Sequence, residues 1–224
     1  MISMIDYGAG NLRSVENALL HLQIPYSITS DAGEVSRASA ILLPGVGHFG
    51  QMMRSLERLK LTNVLRDKIN EGVPYLGICL GMHALFEESD EAPTLPGLGI
   101  FRGRIRRFPE GLKVPHMGWN QLQIRENTIS FRSIAPEPFV YFAHSYYLPV
   151  SGSGSGQMDE PRASALADYG FQFVAAIEQM NIRGVQFHPE KSGQIGLQML
   201  RNFAELNRSN DQDNKQIPAK EIQC

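Results

Sequence analysis

Two hydrophobic rhythms run along this chain. In the first, short apolar runs alternate with helical spacing. Ile2 to Ile5 is apolar, Gly8-Ala9-Gly10 turns, and Leu12, Val15, Leu19 and Leu22 recur at three- and four-residue intervals. Tyr26 to Thr29 and Ala40 to Leu43 read as short strands, and Pro44-Gly45-Val46-Gly47 as a loop. Phe49 to Leu59 and Thr62 to Asn70 read as helices, and Gly72 closes the second. Another apolar run, Val73-Pro74-Tyr75-Leu76, leads to Cys79, and Met82 to Glu88 has a helical look. This alternation predicts a mostly parallel, doubly wound sheet with helices on both faces.

After Glu88 the rhythm changes. Pro93, Pro96, Gly97 and Gly99 mark a long loop. Short β-like pieces follow at Ile100–Phe108, Asn120–Ile124, Phe139–Ala143, Ala163–Ala167, Phe171–Ile177 and Arg183–Phe187, then a helix over Gln194–Leu206. An added antiparallel β portion is therefore expected. Ser151-Gly152-Ser153-Gly154-Ser155-Gly156 reads as a flexible loop or insertion. Residues 1–206 are expected to form a single domain, and 207–224 a polar, disordered tail.

Composition narrows the function. A chain of 224 residues suits one α/β domain. With 21 basic against 23 acidic residues and a net charge of −2, a nucleic-acid surface is not expected. Arg102, Arg104, Arg106 and Arg107 form the densest basic cluster and read as a solvated strand face. The start of the chain has no basic region followed by a long apolar stretch, so no signal peptide is expected, and no run reaches the length of a membrane span. The only cysteines are Cys79 and Cys224, and Cys224 lies in the polar tail, so no disulfide framework is expected. A working thiol suits a reducing cytoplasm.

The candidate chemistry centres on Gly77-Ile78-Cys79-Leu80-Gly81. Glycines flanking a nucleophile between a strand and a helix make an elbow that lifts the side chain above the sheet and frees backbone N–H groups. The positive end of a helix there would favour the thiolate. A cysteine nucleophile needs a base, and Gln186-Phe187-His188-Pro189-Glu190 offers one. His188 can take the thiol proton, and Glu190, two residues on, can hold the imidazole. Residues i and i+2 of an extended segment share a side. His21, His48 and His116 have no metal-like spacing, so neither metal nor cofactor is expected.

Cys79, His188 and Glu190, in this order, resemble the class I (triad) glutamine amidotransferases. Further stretches are similar to the glutaminase subunits of imidazole glycerol phosphate synthase: Asp6 to Leu12, Pro44 to Gly50, Lys113 to Asn120, Tyr141 to Tyr146 and Gly184 to Ser192. The resemblance implies a catalytic triad of Cys79, His188 and Glu190, with glutamine hydrolysed through a glutamyl thioester on Cys79. It implies oxyanion donors from the backbone of Leu80 and of Val46 or Gly47. It places Glu91 at the substrate amino group and the backbone of Ser145 and Tyr146 at the carboxylate. Without the resemblance, Glu91 reads as one surface charge in an acidic run. Asn11, Met117, Trp119 and Asn120 match interface positions. The implied partner is a (β/α)8 cyclase subunit forming a heterodimer, which uses the ammonia to convert PRFAR into imidazole glycerol phosphate and AICAR in histidine biosynthesis.

His83 departs from the pattern. The family usually carries a substrate-contacting Gln there, and a histidine is shorter and titratable. Direct contact by His83 predicts that His83→Gln changes KM more than kcat. Three other readings remain open: a paralogue feeding a different synthase, such as one in surface-sugar amidination; a cysteine hydrolase on the same elbow; and a degenerate, non-catalytic domain. The hydrolase families place the acid before the histidine, whereas Glu190 follows His188.

Overall fold

Four short, fully buried runs build the centre of the molecule. In the computed structural model, which describes residues 1–8, 11–150 and 161–213 (207–213 as backbone only), they become parallel strands β1 (Ile2–Ile5), β3 (Ala40–Gly45), β4 (Tyr75–Cys79) and, late in the chain, β13 (Ile182–Val185). β2 (Tyr26–Thr29) pairs with β1 at the edge. Strands covered on both faces need apolar side chains in both directions, which explains the unbroken runs. Helices α1 (Leu12–His21) and α6 (Gly193–Asp213) bury Val15, Leu19, Leu200 and Phe203 on one face. On the other, α2 (Ala32–Val35), α3 (Phe49–Arg58) and α4 (Leu61–Asn70) bury Val35, Met52, Leu56 and Leu65. The side chains of Asp31 and His48 accept N–H bonds from Glu34 and Gly50 at the starts of α2 and α3.

The helix expected over Met82–Glu88 is a single turn, α5 (Leu80–His83). Phe86–Ser89 is instead a strand, β5, parallel to β6 (Phe101–Arg107). Neighbouring backbone captures this segment: Leu98 N–H donates to Ala84 O, and Gly97 N–H to Glu87 O. The alternating arginines of β6 meet the acids of this region. Arg104 Nε reaches Asp90 Oδ1 at 2.6 Å, and Nη1 reaches Glu88 Oε2 at 3.1 Å.

The antiparallel portion contains β7 (His116–Gln121), β8 (Gln123–Ile124), β9 (Phe139–His144), β10 (Tyr146–Pro149), β11 (Ala163–Asp168) and β12 (Gln172–Gln179). The main sheet runs β2-β1-β3-β4-β13-β12-β10-β6-β5, with β11 and β8 off this path. β7 and β9 form a separate two-stranded ribbon. β7 starts at His116 rather than Asn120, because its whole length is paired: His116 faces His144 and Gln121 faces Phe139. α6 continues past Leu206 to Asp213. Ala9, Gly10, Ser151–Gly156 and Cys224 lie outside the described residues. Among the described residues no helix is long and apolar enough to cross a membrane.

Candidate active site

The nucleophile elbow sits where β4 leaves the sheet. Cys79 has φ 51° and ψ −104°, a left-handed backbone setting that is strained for any residue with a Cβ. Close packing holds the turn there. A Cβ on Gly81 would collide with the Leu43 carbonyl, and one on Gly77 with the Gly81 carbonyl. Buried Tyr75 donates its hydroxyl to Gly81 O at 2.8 Å. α5 has only one turn, so the helix dipole expected at this sulfur is weak.

The side chains beside the sulfur come from the segment after β13. Gln186 and His188 lie just past the end of β13, both fully or nearly fully buried, and Glu190 follows on a 3-10 turn, Pro189–Lys191, not on the extended segment expected from the sequence. His188 Nδ1 meets Glu190 Oε1 at 2.9 Å. Burial pushes the His188 pKa down, but the Cys79 sulfur and Glu190 carboxylate beside it outweigh this and raise it to about 10. The arrangement favours an imidazolium at His188. His188 is fixed through its backbone as well: its N–H donates to Tyr141 O at 2.9 Å, and Ser192 Oγ donates to His188 O at 2.6 Å.

The loop after β3 approaches the same place. Gly47 takes φ +101°, open to glycine, and Tyr7 donates its hydroxyl to Val46 O at 3.4 Å. Tyr7 is buried and lies near enough to Cys79 for the sulfur to help raise its pKa, after burial itself. Glu91 is no plain surface charge: it is half-buried, and its Oε2 accepts the Phe49 N–H at 2.7 Å at the start of α3. The Glu91 carboxylate also helps burial raise the Tyr146 pKa, so Glu91 and Tyr146 share a neighbourhood. Ser145 O accepts the Phe108 N–H, joining that turn to the end of β6. His83 is buried, its Nε2 2.7 Å from Gln186 Oε1. Among the described residues no group of His, Cys, Asp or Glu suited to a metal ion occurs.

The ribbon carries the residues matched to an interface. Alternation along β7 turns His116 and Asn120 inward and Met117 and Trp119 outward, the latter two 63% and 58% exposed. On β9, Phe139 (56% exposed) and Tyr141 share the outward face, opposite Gln121 and Trp119. Sequence reasoning missed Phe139; its alternation with Val140 and Phe142 was the available signal. Tyr141 thus faces outward while its carbonyl holds His188. Asn11 is exposed and donates to Ser14 Oγ at 2.7 Å just before α1, a helix that packs against the Pro189–Lys191 turn.

A cysteine in a strained elbow, with a carboxylate-held histidine against it, is the apparatus of acyl transfer. The family model of class-I glutamine amidotransferases matches residues 3–206. The chain belongs to that family. A solved structure described as a glutamine amidotransferase has the same fold: TM-score 0.72 at 19% identity, covering 93% of this chain and 100% of that one. More specific likeness comes from imidazole glycerol phosphate synthase subunit HisH. The chain is 47% identical to that of Methanothermobacter thermautotrophicus, over 93% of this chain and 100% of the relative. It is 43% identical to that of Moorella thermoacetica, over 92% and 95%.

Proposed function

We propose that this chain is the glutaminase subunit of an imidazole glycerol phosphate synthase. It hydrolyses L-glutamine to glutamate and ammonia, in the service of histidine biosynthesis. The observation that carries this reading is the Cys79–His188–Glu190 cluster on its elbow, in a chain of which 93% is matched by a HisH subunit. The thiolate of Cys79 attacks the side-chain amide carbon. The resulting oxyanion takes N–H bonds from Leu80 and from the Val46–Gly47 stretch, and each such donor is worth roughly 2.7–4 kcal/mol of barrier. His188 protonates the departing ammonia, then takes a proton from the water that cleaves the glutamyl thioester. Glu190 keeps the imidazole oriented through both steps. Glu91 receives the substrate's ammonium group and the Ser145–Tyr146 backbone its carboxylate.

The partner is a (β/α)8 cyclase subunit, docked on the outward face of the ribbon and the start of α1. Met117, Trp119 and Asn11 contribute and Phe139 extends the apolar centre, while Asn120, also matched to the interface, supports β7 from its inner side through Asp168 O. An exposed Met and Trp on a rigid strand suit such an anchor. Ammonia released at Cys79 reacts there with PRFAR to give imidazole glycerol phosphate and AICAR. This work belongs in the cytoplasm.

The test is glutamate release from glutamine by the chain alone, with the cyclase from the same genome, and with cyclase plus PRFAR. Strong stimulation by the complete mixture, lost in Cys79→Ala, is the expected result. No stimulation from two folded, associated proteins would overturn the assignment of the acceptor.

A further inference from the structure

Gln186 lies between His83 and Cys79 and touches both. Its side chain is completely buried, its backbone N–H is held by Ala175 O at 2.8 Å, and its amide has one end on each neighbour. Gln186 Oε1 is 2.7 Å from His83 Nε2, and Gln186 Nε2 donates to Cys79 Sγ at 3.6 Å.

A primary amide has two unlike ends, and only the NH2 end stabilises an anion. Turned over, it would set an oxygen lone pair against the sulfur and leave His83 Nε2 facing an NH2 group. The orientation of the amide and the place of the proton on His83 are therefore coupled. An amide oxygen only accepts, so His83 carries its hydrogen on Nε2. Burial pushes the His83 pKa down to about 4, which keeps the ring neutral with one N–H to give. Neither partner has water to turn to, since His83 and Gln186 are 3% and 0% exposed. In such surroundings an unmade hydrogen bond is costly, so with the hydrogen on His83 Nε2 the arrangement that makes both bonds is preferred.

We propose that His83 is a positioning residue: acting through Gln186, it keeps an N–H aimed at Cys79 Sγ and so helps hold the nucleophile as a thiolate. This rests on the reading of Cys79 as the nucleophile. It assigns His83 a different task from the direct substrate contact that the family resemblance implies, because the Nε2 atom that would make that contact is engaged by Gln186. The short α5 makes the task needed. With one helical turn behind it, the sulfur has His188 on one side and the Gln186 amide on another.

The experiment measures iodoacetamide alkylation of Cys79 against pH, on the full chain, read at the Cys79 peptide by mass spectrometry. It needs neither glutamine nor the cyclase. Gln186→Leu is expected to slow alkylation at neutral pH by about 10-fold and raise the inflection by about one pH unit. Gln186→Glu, close in shape but without the donor, should slow it at least as much. His83→Phe, which frees the amide to turn, should slow it by roughly 3-fold, and His83→Gln, which keeps a donor, should recover most of that loss. Profiles of folded Gln186→Glu and His83→Phe that superimpose on wild type overturn the proposal. So does a His83→Phe effect confined to KM for glutamine in the complex. A wild-type inflection at the free-thiol value of about 8.5 would instead sink the thiolate reading of Cys79 itself.

Discussion

Two sets of buried imidazoles, His188 in the candidate site and the His116–His144 pair on the ribbon, are treated oppositely. His188 has the Cys79 sulfur and the Glu190 carboxylate beside it, and its pKa rises to about 10 despite burial. His116 and His144, on the inner face of the ribbon, have aromatic neighbours. His116 stacks between Tyr169 and Phe142 at 4.0 and 4.9 Å, and Phe108 and Phe173 close around His144. Burial pushes His116 down to about 4 and His144 well below its ordinary value. The second pair is wired for neutrality. His144 Nδ1 donates to Tyr146 O at 2.8 Å, which leaves Nε2 to accept from His116 Nδ1 at 3.0 Å. Protonating His144 Nε2 would break that bond. Burial, then, does not decide what a histidine does. The presence or absence of an anion beside it does.

The strongest way to break this comparison is to exchange roles. His188→Asn is expected to lower glutamine turnover by at least ~10⁴-fold with the fold intact, as loss of the acid–base member of a triad does elsewhere. His144→Leu should instead destabilise the chain and leave Cys79 alkylation recognisably wild type. Turnover assays set beside melting curves would show it, and a His144→Leu chain of normal stability but dead chemistry would erase the distinction.

Next in size is Glu190→Gln, which removes the anion and keeps the shape. Turnover should fall roughly 10⁴-fold. The pH at which His188 loses its proton should also move down, visible in the pH–rate profile.

The two sites also differ in their pH windows for stability. His116 has a folded pKa below its unfolded value of about 6.5, so its contribution is full above pH 6.5 and is lost as the pH falls toward 4. That loss should be on the order of 2 kcal/mol by denaturant titration, and smaller in His116→Phe. His188 runs the other way, its contribution full below 6.5 and lost as the pH rises through about 10. Acid stability unchanged by His116→Phe would sink this account of the ribbon.

The smallest effect tests the ribbon's other face. Trp119→Ala should cost about 2 kcal/mol of affinity for the cyclase subunit, measured by titration calorimetry, without changing acid stability.

Much of the parallel half was legible because its signals are local. β2 runs from Tyr26 to Thr29 and α3 starts at Phe49, both as the pattern predicts. Buried runs and amphipathic stripes depend on neighbours a few residues away. The segment after Cys79 was misread for the opposite reason. Met82 to Glu88 has helical apolar spacing, but Phe86–Ser89 finds a long-range partner in β6, and pairing outweighs propensity. The early start of β7 at His116 has the same cause, since its partner β9 lies on the far side of a long connection.

The sequence by itself determined which residues are the candidates for the chemistry: a cysteine between glycines, and a histidine with a glutamate two residues on. The sterics of a tight turn fit the first, but the second pair meets across the single 3-10 turn Pro189–Lys191 rather than along the extended segment the sequence suggests. Only the tertiary structure decided what surrounds them. That Gln186 bridges His83 and Cys79, that Glu91 caps α3, and that Tyr141 ties the ribbon to His188 are contacts between residues 42 to 107 positions apart or across separate strands. No periodicity encodes such pairs; those of Gln186 and His188 arise when β13 inserts beside β4 and brings the end of the chain onto its middle. The protonation of each buried histidine was decided there too, because it depends on the charges that folding sets beside the ring.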